Sequence, residues 1–145
     1  MTKSLSLFAL AMMTGLSAHA KQNCPEINGT FHNIEKKDAA ASQIRSIPYS
    51  EGMIYSLVGL TDGTFYADGK AHNVGDAKDF AAVTTCTKDA FVVTIRNKKD
   101  PKVSGVMTVQ VLNDRGDLMA KVVQGNTTIQ SILAKDASEP ASCTK

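Results

Sequence analysis

The feature that most constrains this chain is its punctuation. After residue 28, short runs with apolar residues at every second position alternate with tight-turn signals, and helical spacing is nearly absent. Period-2 alternation sends successive side chains to opposite faces of a strand. Phe91, Val93 and Ile95 share one face, with Val92 and Thr94 on the other; Met107, Val109 and Val111 lie opposite Thr108 and Gln110. Residues 29–34, entered through Pro25, read as a first strand. Residues 42–47 read as a weaker second, closed by Pro48, and residues 52–60 as a third. Asp62-Gly63 and Asp68-Gly69 bracket a short strand at 64–67, and 70–74 returns. Asp-Gly suits a type I′ turn, in which both central residues take positive φ. Residues 81–87 and 90–97 form a hairpin around Lys88-Asp89. Strands at 105–112, 118–124 and 127–133 follow, joined by 113–117 and by Gly125-Asn126. The expected fold is all-β: an antiparallel up-and-down meander of about 8–10 short strands, as a barrel or a sandwich. Residues 35–42 would form one or two helical turns or a loop, and 76–82 would add a helical turn.

The first twenty residues carry a different pattern. Lys3 is the only charge, residues 5–16 are apolar apart from small residues, and Ala18-His19-Ala20 gives the small-x-small site that a signal peptidase accepts. The apolar core is shorter than the roughly 20 residues of a spanning helix. A signal peptide cleaved after Ala20 is therefore expected, with no membrane span and a secreted or periplasmic product. Cleavage of the 145-residue chain would leave one domain of 125 residues, 21–145, with a polar tail at 134–145. Lys21-Gln22-Asn23, charged and polar, argues against lipid attachment at Cys24.

Three cysteines remain after the signal: Cys24, Cys86 and Cys143. An oxidising compartment favours pairing, and an odd number leaves one thiol over. In a meander, strand parity places all three at the same end of the molecule. Any pair can then be bridged, including Cys24 or Cys86 to the tail cysteine Cys143.

Composition narrows function mainly by exclusion. Without Lys3 the chain has 15 Lys and Arg against 14 Asp and Glu, so no strong field favours nucleic acid. The densest basic spot is Lys98-Lys99 with Lys102, read as a solvated turn. His32 and His72 stand in no zinc-binding frame. Asp62, Asp68, Asp76 and Asp79 do not match a calcium loop, and no nucleophile elbow or phosphate loop occurs. No catalytic residue, metal or cofactor is expected, and the chain reads as a non-enzymatic monomer.

Cys24-Pro25-Glu26-Ile27-Asn28-Gly29-Thr30-Phe31 resembles the opening of lipocalin-like barrels, in which a glycine followed two residues later by an aromatic enters the first strand. Here the aromatic is Phe31 where tryptophan is usual. The resemblance implies a secreted barrel that binds a small apolar ligand. Inward residues (Phe31, Tyr55, Phe65, Phe91 and Met107) would line a cavity or pack as a core. The competing expectation is an envelope protein-interaction or hydrolase-inhibitor module that acts through loops such as 97–104 and 113–117.

Overall fold

The computed structural model describes residues 22–137. The expected signal peptide and Cys143 lie outside them. Ten strands follow one another: β1 (Gly29–Asn33), β2 (Ser42–Tyr49), β3 (Gly52–Val58), β4 (Gly63–Ala67), β5 (Ala71–Val74), β6 (Ala77–Cys86), β7 (Ala90–Asn97), β8 (Ser104–Val111), β9 (Leu118–Gln124) and β10 (Thr127–Lys135). Every pairing is antiparallel, in the order β4-β3-β2-β1-β10-β9-β8-β7-β6-β5. Pairing of β1 with β10 joins the two halves, and the end of β4 packs against β6, where the Gly69 amide donates to the Thr84 carbonyl at 3.2 Å. The result is a nearly closed barrel with one seam, between β4 and β5. Among the described residues there is no helix, hence none long and apolar enough to cross a membrane.

Alternation fills the interior. Ile44, Tyr55, Leu57, Phe91, Val93, Val109 and Leu118 are fully buried, and each belongs to the inward-facing set of its strand. One end of the barrel is plugged by residues 22–28. Ile27 is buried there, and its amide donates to Ser46 Oγ at 2.9 Å. A disulfide between Cys24 and Cys86, with Cα atoms 4.9 Å apart, fixes this plug to the end of β6. Gln22 Oε1 adds a hydrogen bond from the Cys86 amide.

Three local expectations change, and for residues 35–42 the loop alternative holds. β2 runs through Pro48 to Tyr49, with Pro48 opposite Met53. The Ser46 amide points toward β1 and donates to Asn28 Oδ1. Two residues later Pro48 faces the same side, but pairing with β1 has ended at Ile44, so its missing N–H costs no ladder bond. Residues 77–82 are strand rather than helical turn, because β6 is paired with β7 from Phe80 onward. Residues 35–41 form a loop, opened by Asn33 Oδ1 accepting the amides of Glu35 and Lys36. Neither Asp-Gly turn is type I′. Only Asp62 has positive φ in the first and only Gly69 in the second. The aspartates act through their side chains, accepting the Gly59 amide at 2.7 Å and the Lys70 amide at 2.8 Å.

Candidate functional site

The end opposite the plug is open. Strand direction puts there the end of β7, the start of β8, the end of β9 and the loop before β4. Phe80, Ile95, Val103, Met107 and Val122 line an apolar pocket of about 170 Å³. Thr61, Ser104 and Gln124 supply its polar edge, and among the described residues no titratable side chain lines it. Gly105 keeps the pocket open: a methyl placed on it would meet only the Val123 carbonyl oxygen, at an ordinary 3.6 Å. For scale, an engineered apolar cavity of about 150 Å³ stays dry and binds benzene.

The seam adjoins this pocket, because Thr61 and Ile95 border both spaces. It forms a cleft of about 710 Å³ between β4, with the loop before it, and the outer part of β5, lined on one side by Asp62, Thr64 and Tyr66 and on the other by Asn73, Val74 and Gly75. β4 pairs with β3 alone and β5 with β6 alone, so the two strands splay apart toward the open end.

Near the plugged end the seam is held by a polar and aromatic cluster. The Asp68 side chain is 3% exposed and contacts His72 Nε2 at 2.9 Å. Tyr49 Oη donates to the same carboxylate at 3.0 Å. The His72 ring stacks on Tyr66 at 4.7 Å, and Tyr49 meets Tyr66 edge-on at 6.2 Å. Burial pushes the Asp68 carboxyl up, but hydrogen bonds from the Lys70 amide, His72 and Tyr49 outweigh it and hold the group below its ordinary value. Burial, with the Asp68 hydrogen bond, raises the Tyr49 hydroxyl to about 12. An Asp–His pair can orient a general base. Here the imidazole is stacked against Tyr66, and Asp68 binds β2, β5 and its own turn together, which makes the cluster a latch.

The five expected lining residues separate. Phe31, Tyr55 and Phe91 are buried toward the plugged end and border neither space. Phe65 borders the seam and Met107 the open-end pocket. Of the three cysteines, Cys24 and Cys86 are paired, and Cys143 lies outside the described residues. Among the described residues no group of three or more His, Cys, Asp or Glu could hold a metal ion. The loops at 97–104 and 113–117 are exposed and internally braced, the second by Asn113 Oδ1 accepting the amides of Arg115 and Asp117. Sequence reasoning did not select Phe80, Val103 and Val122. Ile95 and Met107 were legible as inward, but which inward residues stay uncovered depends on which end residues 22–28 plug.

The architecture is that of an all-β, nearly closed antiparallel barrel, compatible with a lipocalin-like fold. The chain matches no protein-family model and no curated protein.

Proposed function

We propose that this protein is a non-enzymatic β-barrel of the secreted or periplasmic space that holds a small apolar ligand at its open end. The carrying observation is the pocket between Phe80, Ile95, Val103, Met107 and Val122, apolar on its walls and without a titratable group. Burial of apolar surface is worth about 25 cal/mol per Å², so a ligand of roughly ring size gains enough to bind at micromolar to millimolar concentrations. The disulfide is compatible with an oxidising compartment. The sequence of residues 1–20 supports export.

The test is fluorescence of N-phenylnaphthylamine, which brightens on entering an apolar site. Enhancement should saturate in the parent and be lost in Gly105→Leu, whose side chain would occupy the pocket. Equal enhancement in both would sink the reading.

A second reading, a protein-interaction module, is supported by the outer face. Ile47, Ile54 and Tyr66 stand in register across β2, β3 and β4, and Ile47 and Tyr66 are exposed. Charge reversal beside this row, Arg45→Glu, should then weaken capture of a specific envelope partner without affecting dye binding.

A further inference from the structure

We infer that the open part of the seam is a peptide-binding site, in which an extended segment of a partner protein adds to the edge of β4 and bridges it to β5. Such a site is separate from the apolar pocket and needs no small ligand.

Hydrogen-bond direction defines what the two edges offer. In an antiparallel strand the N–H and C=O of one residue point to the same side, and successive residues alternate. The Ser46 amide turns toward Asn28, away from β3. Ser46 therefore makes no ladder bond with Tyr55, its partner on β3, and Tyr55 directs its own groups at Phe65 on β4. Phe65 is thus bonded to β3, and Thr64 and Tyr66 turn their N–H and C=O into the seam. β5 is oriented by its other neighbour. The Thr87 amide donates to the Ala90 carbonyl and the Lys98 amide to the Asp79 carbonyl, so the odd-numbered residues of β6 bond to β7. Ala82 and Thr84 then face β5, in agreement with the bond from the Gly69 amide to the Thr84 carbonyl. His72, opposite Ala82, is bonded to β6, and Asn73 turns its N–H and C=O into the seam.

Thr64, Tyr66 and Asn73 all line the cleft, and β4 and β5 are not paired with each other. Two facing rows of main-chain donors and acceptors are complementary to one extended chain, which bonds on both of its sides. Exposed edges are often blunted by charge or proline; β4, Gly-Thr-Phe-Tyr-Ala, carries neither. The side-chain pattern of an added strand follows from the same register. Opposite Phe65 its side chain points inward, toward Leu57 and Ile95, and opposite Thr64 and Tyr66 its side chains point outward. Among the described residues Asp62 is the only charged side chain that lines the cleft. The occupant is therefore a proline-free segment that alternates apolar and polar residues. It runs antiparallel to β4, the stronger pairing, and carries a basic residue toward its C-terminal end, beside Asp62. The charge contributes little, because exposed ion pairs are weak.

The experiment is ¹⁵N-detected amide exchange of the disulfide-bonded protein with acetyl-Thr-Val-Thr-Val-Thr-Lys-amide, and with the same peptide N-methylated at its threonines. At about ten times its dissociation constant, the unmodified peptide should slow exchange at Thr64, Tyr66 and Asn73 about tenfold. The N-methylated peptide should not, because the amides that would face β4 are blocked. Thr64→Pro removes a seam-facing N–H and no ladder bond, so β4 should stay in the sheet while peptide affinity falls. No protection at millimolar peptide, equal binding of the N-methylated peptide, or unchanged affinity in Thr64→Pro would overturn the inference. Protection of these amides without peptide would overturn it too. Growth of that protection with protein concentration would make the occupant a second copy, and its loss on truncation after Ala137 would make it the chain's own tail.

Discussion

The ring of Tyr55 lies flat against that of Phe91, with centroids 4.0 Å apart and planes 17° from parallel. They come from β3 and β7, on opposite sides of the barrel, so the contact spans the interior. The Tyr55 hydroxyl continues past the stack and donates to the Pro25 carbonyl at 2.7 Å, which ties the core to the plug. Burial raises the hydroxyl well above its ordinary value, so it remains a donor throughout the accessible pH range. Tyr55→Phe keeps the stack and leaves the buried carbonyl without this donor. It should cost about 1–2 kcal/mol in urea denaturation. Tyr55→Ala removes the ring as well and should cost about 3–5 kcal/mol. Equal losses in the two variants would show that the stack contributes nothing.

The Cys24–Cys86 bridge closes a span of 62 residues. Thiol titration of the unfolded, unreduced chain should find one free thiol, assigned to Cys143. Replacing Cys24 and Cys86 by serine should lower stability by about 2–4 kcal/mol. Because the bridge fixes residues 22–28, amide exchange should rise first at Ile27 and Ser46. A count of three thiols, or bridging to Cys143, would refute the pairing.

Asp68 makes the latch pH-dependent in a defined direction. Its carboxyl is held lower in the folded chain than the ordinary value of about 3.9. A depressed folded value contributes stability that is complete above the unfolded value and is lost as pH falls through the folded one. Asp68→Asn should therefore cost about 2 kcal/mol at neutral pH. The urea midpoints of parent and variant should converge below about pH 4. A gap that stays constant to the acid limit would show that ionisation of Asp68 is not what holds β5.

Thr84 points inward at 1% exposure, and its hydroxyl has no hydrogen-bond partner among the described residues. An unsatisfied buried hydroxyl carries a desolvation cost without return. Thr84→Val keeps the branched shape and removes that cost, so it should raise stability by about 1 kcal/mol. A drop in the urea midpoint would mean that the hydroxyl is hydrogen-bonded in solution, with water the first candidate.

Much of the fold is local and was legible along the chain. The hairpin at 81–97 and the strands at 105–112, 118–124 and 127–133 match the observed bounds to within four residues. Alternation correctly placed Phe91, Val93, Met107 and Val109 on the buried face. The errors fell where a distant partner decides conformation. β6 begins at Ala77 because β5 and β7 offer it hydrogen bonds, and Pro48 is tolerated because β1 has stopped pairing before it.

The sequence by itself determined the strand class, the inward set and the shared end of Cys24 and Cys86, because each follows from side-chain period and strand parity. Tertiary structure alone decided the rest. Three cysteines permit three pairings, and the course of residues 22–28 selects Cys24–Cys86. Inward-facing residues are equivalent along a strand until one end of the barrel is plugged. Only then do Phe31, Tyr55 and Phe91 become core while Ile95 and Val122 stay half-buried at the open mouth, because burial depends on what closes over a residue and not on the face it occupies.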